Sequence, residues 1–446
     1  MIKKLIFLFY KILQKPTLIN FVLKVLPIFS KRNYFFISYI LVSLTIRKLN
    51  HNVNPNSRIL IIEKSIFTDD IIESIGKFED FEIYGVPRAV VKCLAIPHLL
   101  KANRADDTYI HDTEKGKIGK KSYRDFLKKM WIHLYNKYNF KALMTGNWAY
   151  WAERELPFAT KLTKTYFIVM HKEGIKPPGR SEFLKKHFFV TRGQYNGDYI
   201  FVYQNAEKNH QIEGMISKPK QIKVCGMPRL DAVHRWRKSK ANITTQISNL
   251  KPTILVLPIL ENNFLPIYSG IDDGKRWKNL SFGLINSVMK FALQREDVNI
   301  ILRPRSYEIE DIKTLLKNFS LSLPKNIKIY SDGNVHEEIY KSWCVVGHNT
   351  TVLLEALAAG KIVIEPNFGE AKLPEYKPYI VDLQSATIKA DSEDLLIDLM
   401  DKYSRIKPKI MLNLSEDVKK QLDYWTGNSD GCSGLRICKE LKKIGI

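Results

Sequence analysis

The 446-residue sequence contains no CxxC pair, and its five cysteines (Cys93, Cys225, Cys344, Cys432 and Cys438) are odd in number and scattered. That pattern excludes a disulfide framework and a paired-cysteine zinc site, and it fits a reducing compartment. Also missing are the GxGxxG dinucleotide fingerprint, the GxxxxGK[ST] phosphate loop, the GxSxG elbow and the HExxH helix. Each absence removes a large enzyme class, because each motif is the local geometry its chemistry needs. Acidic side chains are absent from the first fifty residues, which carry nine Lys or Arg: Lys3, Lys4, Lys11, Lys15, Lys24, Lys31, Arg32, Arg47 and Lys48. The longest uncharged run there, Asn33 to Ile46, has 14 residues, short of the roughly 18 to 20 that span hydrocarbon. A secretory signal is not expected either, since Lys11 interrupts the apolar stretch after Lys3-Lys4.

What is present describes a folded protein. With 45% hydrophobic and 26% charged residues, the composition is that of a globular chain. Its length exceeds the roughly 250 residues that one core serves, so two main domains are expected. The formal net charge of +24 draws such a protein toward anionic partners. Nucleic acid is not the expected one, because no basic patch interleaved with aromatics and no known module is found. Residues 1–50 are read as a basic, apolar helical segment that meets an anionic membrane surface, packs on the following domain, or does both.

Beyond Asn50, short apolar runs alternate with helical stretches, the pattern of βαβ units. RILIIE at Arg58–Glu63, Phe81–Val86, Lys141–Thr145, Tyr166–Met170, a strand in the segment from Ile200 and Ile222–Cys225 are predicted strands of a first domain, residues 51–240. Helices are predicted at Ser122–Tyr138 and Tyr150–Leu162, and Arg235–Leu250 reads as a link. A second series, residues 251–420, has predicted strands from Thr253, Val298–Leu302, Ile327–Tyr330, Cys344–Val346 and Ile362–Glu365. Its helices are predicted near Trp277–Gln294 and at Glu308–Phe319, Val335–Lys341 and Thr351–Ala359. Residues 421–446 form a C-terminal helical segment.

Ligands of open α/β sheets bind beyond the carboxyl ends of the strands, and four such places carry polar residues. VMHKEG supplies His171, which can take a proton from a hydroxyl near neutral pH, and Glu173, which can orient it or share that task. In VCGMPRLD, Gly226 and Pro228 shape a turn and Arg229 offers a guanidinium to a phosphate, the alternative being a local pair with Asp231. ILRPRSYE places Arg303 and Arg305 around Pro304, suited to a diphosphate or a sugar carboxylate. In VVGHNTTVLLEALAAGKIVIEP, Gly347, His348, Asn349, Thr350 and Thr351 precede or open a helix, where backbone N–H groups favour phosphate. Glu355 one turn later suits ribose hydroxyls, and Asn349 or Thr350 equally suits a helix cap.

In this order the motifs resemble those of GT-B transferases related to the CDP-glycerol glycerophosphotransferases and to bacterial surface-carbohydrate and capsule transferases. HKEG at His171–Gly174, GxPRxD at Gly226–Asp231, Arg303-Pro304-Arg305 and Gly347–Lys361 carry the likeness over roughly Lys141 to Gly434. Where the glycerophosphotransferases show Trp-His-Gly and His-Pro, this chain has Met-His-Lys and Arg-Pro-Arg. Its tail YWTGNSDGCSGLR, Tyr424–Arg436, is closer to the surface-carbohydrate enzymes, whose terminal helix crosses back to the first domain.

The resemblance implies an α/β fold of GT-B type, two Rossmann-like domains facing a cleft. It also implies inverting transfer of a sugar from a nucleotide-activated donor to a lipid-linked or lipid-anchored glycan at the inner face of the cell membrane. His171 with Glu173 would act as base, and Arg229, Arg303, Arg305, residues 347–351 and Glu355 would hold the donor. No DxD triplet is present, so no metal and no cofactor beyond the donor substrate are expected. Glycerophosphate transfer, a non-hydrolysing nucleotide-sugar 2-epimerase and a non-catalytic scaffold of polysaccharide assembly are the alternatives.

Overall fold

A computed structural model describes residues 16–52, 55–239, 251–260, 276–317, 323–406 and 411–446. Lys3, Lys4, Lys11 and Lys15, residues 240–250 of the expected link, and residues 318–319 of an expected helix lie outside them. The chain divides into two compact units. The first comprises the described residues up to Gly174, Leu184–Arg229 and Cys432–Ile446, and the second Ile175–Phe183 and Leu230–Gly431.

The first unit is built on a seven-stranded sheet: β1 (Arg47–Lys48), β2 (Ser57–Glu63), β3 (Phe81–Pro87), β4 (Phe140–Thr145), β5 (Tyr166–Met170), β6 (Tyr199–Val202) and β7 (Ile222–Val224). Their order is β1-β3-β2-β4-β5-β6-β7, parallel throughout except for the short edge strand β1. β2 shows why an unbroken apolar run makes such a strand. Successive side chains point to opposite faces, and helices cover both. Ile59 and Ile61 enter a core with Phe67, Ile71, Ile437 and Leu441. Leu60 and Ile62 enter another with Leu127 and Trp131. Each fully buried side chain of this kind contributes about 1.5–3 kcal/mol.

The N-terminal helices Pro16–Lys31 and Phe35–Thr45 are part of this unit. Leu18, Val22, Leu26, Leu41 and Val42 share a core with Val90, Leu94 and Trp131. Not all of their apolar surface is covered, for Phe21, Ile28, Phe36, Ile37 and Ile40 remain exposed. Lys24, Lys31 and Arg32 are exposed as well. No helix among the described residues is long and apolar enough to cross a membrane. At the other end of the chain, the helix Ser433–Lys443 also belongs to the first unit, with Ile437, Cys438 and Leu441 packed in the core beneath Ile59 and Ile61.

The second unit holds six parallel strands: β8 (Thr253–Leu257), β9 (Asn299–Leu302), β10 (Ile327–Ile329), β11 (Cys344–Gly347), β12 (Ile362–Pro366) and β13 (Ile388–Ala390). They are ordered β10-β9-β8-β11-β12-β13. Ile254, Val256, Val346 and Ile364 pack against Leu284, Val288 and Phe291 of the helix Lys278–Gln294 and Leu396 and Met400 of Glu393–Arg405. Gly347 ends β11 where any side chain would collide, since an added Cβ would lie 2.9 Å from the Leu257 Cβ and 3.1 Å from its carbonyl oxygen.

Three elements differ from expectation. The helix expected at Ser122–Tyr138 begins at Glu114, because the Thr113 hydroxyl accepts from the Gly116 N–H and caps it there. The helix expected at Tyr150–Leu162 is broken into the turns Trp151–Glu153 and Lys161–Thr163 around a short helix, Leu156–Thr160. Glu153 and Glu155 draw the backbone inward to reach Arg88 and Arg124. Arg235–Ser239 is not linker but the end of the helix Arg229–Ser239. This polar stretch is held by tertiary contacts: Trp236 stacks on Tyr340 with ring centroids 3.9 Å apart, and Arg237 donates to the Ala358 carbonyl at 2.9 Å.

Candidate functional site

In the first unit β5 delivers His171 directly beyond its carboxyl end. Its backbone N–H donates to the Phe201 carbonyl at 2.8 Å, which extends the ladder to β6 and fixes where the ring starts. The ring is 2% exposed, and its Nε2 lies 3.2 Å from the Glu207 carboxylate on the helix Asn205–Glu213. Neither ring nitrogen meets hydrogen-bond geometry with a described residue. Buried polar atoms are seldom left so. Glu173, two residues on, is turned elsewhere and accepts from the Asn147 amide at 3.0 Å. The carboxylate beside His171 is therefore Glu207, which sequence reasoning missed because it arrives from a different helix.

Arg229 reaches a helix far from it in sequence, Ser65–Glu73. It makes a two-pronged contact with Asp70, at 3.2 Å through both Nε and Nη2, and donates to the Tyr203 hydroxyl at 3.1 Å. Asp70 is 1% exposed, so this pair is part of the unit's interior. Asp231 accepts from the Asn428 amide at 2.8 Å within the second unit. Asn428 also receives the Gly431 N–H at 2.8 Å, and its carbonyl lies 3.1 Å from His234 Nε2. Two distant motifs, PRLD and the tail NSDG, thus form one buried network.

Several charged side chains at this edge of the first sheet were not foreseen. Lys64 follows β2, Arg88 follows β3 and Lys172 follows His171. The Lys64 ammonium donates to the Tyr150 hydroxyl at 2.8 Å, and the Arg88 guanidinium lies 3.7 Å from the centre of the same ring. Glu153, 2% exposed, receives Arg88 Nε at 2.6 Å and the Thr145 hydroxyl. Burial pushes the Glu153 carboxyl up to about 6, with Arg88 working in the opposite direction.

In the second unit the sequence-selected residues divide into structural and open sets. Arg303 is committed: it pairs with Glu338 and donates to the carbonyls of Ser331, Asp332 and Gly333 at 3.1, 3.0 and 2.8 Å. Arg305 remains half exposed, touching the Tyr307 hydroxyl at 2.8 Å. Asn349 adopts a left-handed backbone, φ 54°, and its amide bridges the Tyr379 carbonyl and the Val381 N–H at 2.9 and 2.8 Å. Thr351 immediately precedes the helix Val352–Ala358, and the Thr350 hydroxyl accepts from the Val352 N–H at 3.4 Å. Glu355 is 2.9 Å from His336 Nε2.

His348 is the counterpart of His171. It is buried against Trp277, ring centroids 5.5 Å apart, with Nδ1 3.5 Å from the Glu365 carboxylate. Again neither ring nitrogen meets hydrogen-bond geometry with a described residue. Burial lowers its pKa, against the pull of Glu365, so the ring is neutral. Glu365 accepts from the Thr387 hydroxyl at 2.9 Å and the Lys389 ammonium at 2.5 Å. Spacing alone gave no signal for Glu365 or Lys389, which come from the neighbouring strands β12 and β13.

No protein-family profile matches the sequence, and no curated protein does. Solved structures do match. A Listeria monocytogenes protein assigned as a UDP-N-acetylglucosamine 2-epimerase aligns over 88% of this chain and 97% of its own, at 14% identity and a TM-score of 0.52. The Methanocaldococcus jannaschii UDP-GlcNAc 2-epimerase in complex with UDP-GlcNAc and UDP covers 87% and 99%, at 14% identity and a TM-score of 0.44. Anabaena Alr3699/HepE in complex with UDP and glucose covers 86% and 99%, at 12% identity and a TM-score of 0.47. At such identities the likeness is one of architecture, and with the two sheets described above it makes this chain a two-domain, Rossmann-like α/β protein of GT-B type.

Proposed function

We propose that this chain is an enzyme acting on a nucleotide diphosphate sugar. The observation that carries the reading is shared by both units: a buried histidine beyond the end of a parallel strand, unsatisfied at both ring nitrogens, beside a buried glutamate. Open α/β sheets bind ligands at that edge. The Listeria protein with the same architecture bears the name of a UDP-sugar enzyme, which adds support.

In the first reading the reaction is metal-independent glycosyl transfer with inversion. His171 removes the proton from an acceptor hydroxyl and Glu207 stabilises the imidazolium that forms. His348, Arg305 and the 347–351 turn serve the departing nucleotide phosphate. The acceptor is a glycan carried on lipid. The uncovered Phe21, Ile28, Phe36, Ile37 and Ile40 beside Lys24, Lys31 and Arg32 favour this reading, because an anionic bilayer is where such an acceptor resides. The enzyme would then work at the cytoplasmic face of the membrane.

A second reading, a non-hydrolysing 2-epimerase, is supported by the matched Listeria protein, which carries a UDP-N-acetylglucosamine 2-epimerase name. One experiment separates the two. UDP-, CDP-, GDP- and dTDP-sugars are incubated with the purified chain, with and without a lipid-linked acceptor, and followed by NMR. A stereoisomer formed from donor alone establishes the epimerase. Nucleotide released only when acceptor is present establishes the transferase. Neither product, and no thermal stabilisation by any nucleotide, sinks the enzyme reading and leaves the scaffold.

A further inference from the structure

Lys64 and Lys172 come from the ends of β2 and β5, two strands separated in the sheet by β4. Lys172 is pinned by its backbone. Its N–H donates to the Gly146 carbonyl at 3.1 Å, and its carbonyl accepts from the Tyr203 hydroxyl at 3.1 Å. The same Tyr203 hydroxyl accepts from Arg229. Lys64 is positioned by Tyr150, with its ammonium 4.7 Å from the ring centre and hydrogen-bonded to the hydroxyl. The charged groups that face Lys172 are Lys64, Arg229 and Glu173.

The carboxylates near this point are engaged elsewhere. Asp70 holds Arg229, Glu153 holds Arg88 and Glu173 accepts from Asn147. Among the described residues neither Lys64 nor Lys172 forms an ion pair. Two half-buried ammonium groups brought together, joined by Arg229 and faced by Glu173, leave positive charge in excess, and such arrangements persist at sites that receive an anion. Burial, with the added charge of Lys64, pulls the Lys172 amine down to about 8. Tyr150 is pushed the other way, chiefly by burial. Its phenol therefore keeps its proton, and while accepting from Lys64 it can donate to an anion.

We propose that Lys64, Lys172 and the Tyr150 hydroxyl form a phosphate-binding site in the first unit, which holds the phosphate of a second substrate distinct from the nucleotide. The inference rests on the nucleotide-sugar reading and deepens it by giving the acceptor a chemical class, a phosphate ester. Two ammonium donors and one phenol suit the three oxygens of such a group.

The test uses the full chain, inorganic phosphate as probe, and Lys64→Gln and Lys172→Gln variants compared by calorimetry with and without a saturating nucleotide diphosphate. Each substitution is expected to weaken phosphate binding about tenfold, or 1.4 kcal/mol, with nucleotide affinity unchanged and with Lys64→Arg retaining most of the binding. Binding should weaken as pH rises through about 8, where Lys172 loses its proton. Phosphate that binds the variants as it binds the wild type, or does not bind the wild type, overturns the site. Phosphate displaced by the nucleotide overturns its assignment to a second substrate. Lysine-dependent phosphate binding in a chain that binds no nucleotide keeps the site and sinks the nucleotide-sugar reading, so the two failures are distinguishable.

Discussion

Each unit places a buried histidine beyond a parallel strand and beside a glutamate, and surrounds that pair differently. In the first, Glu207 stands beside His171 and accepts from the Gln211 amide at 2.7 Å. In the second, Lys389 sits on Glu365, Trp277 with Tyr376 packs the neighbourhood, and burial, with a smaller contribution from Lys389, lowers the His348 pKa. The two pairs also differ in placement: β5 is separated from β2 by β4, whereas β11 lies beside β8, and Glu207 comes from a helix where Glu365 comes from a strand. The carboxylates differ in partner too, an amide for Glu207 and an ammonium for Glu365.

The largest test of this contrast is kinetic. His171→Ala should lower turnover by about 10²–10⁴ while thermal stabilisation by nucleotide persists. His348→Ala should chiefly weaken that stabilisation. Equal losses in both measurements for both variants would erase the distinction. Next come the motif arginines, each locked to a buried carboxylate. Arg303→Ala strands Glu338 and the carbonyls of the 331–333 turn, and Arg229→Ala strands Asp70. Each should cost about 3–5 kcal/mol in urea denaturation.

The units should also respond to pH in opposite senses. Lys361 in the second unit is pulled down to about 7 by burial from 10.5. Between those values the unfolded chain binds more protons than the folded one, so stability rises with pH across that window. Glu153 in the first unit is raised to about 6 from 4.5. There the folded state binds more protons, and stability falls as pH rises from 4.5 to 6. Urea midpoints should lose the upper dependence in Lys361→Met and the lower one in Glu153→Gln. The smallest effects belong to the N-terminal helices. Lys24→Gln, Lys31→Gln and Arg32→Gln should each reduce co-sedimentation with anionic vesicles by about 1 kcal/mol. Unchanged partitioning in the triple variant would show that these helices serve the first unit alone.

The fold class was legible because parallel strands covered on both faces must be written as apolar runs, as in RILIIE and TILVL. The helix at Tyr150–Leu162 was misread because Glu153 and Glu155 look like ordinary helix formers until their partners Arg88 and Arg124, at other places in the chain, are known. The sites follow the same division. Residues directly after strands, His171, Arg303 and His348, stand out by position alone, as does Arg229 after the Gly226–Pro228 turn. Glu207, Asp70, Glu338 and Glu365, which decide what those residues do, are supplied by other elements and leave no local mark. Asn349 and Arg303 show the reverse hazard, since polar groups that look poised for ligand are largely engaged in holding the 379–381 and 331–333 segments.

The helix Ser433–Lys443 carries a consequence for how the protein is made. Ile437, Cys438 and Leu441 fill the space beneath Ile59 and Ile61, yet they are translated after nearly the whole second unit. During synthesis the first sheet must therefore wait with part of that face uncovered, while the strands of the second unit follow one another within a single stretch and are complete before it. Released chains truncated before Ser433 should accordingly be more protease-resistant in the second unit than in the first.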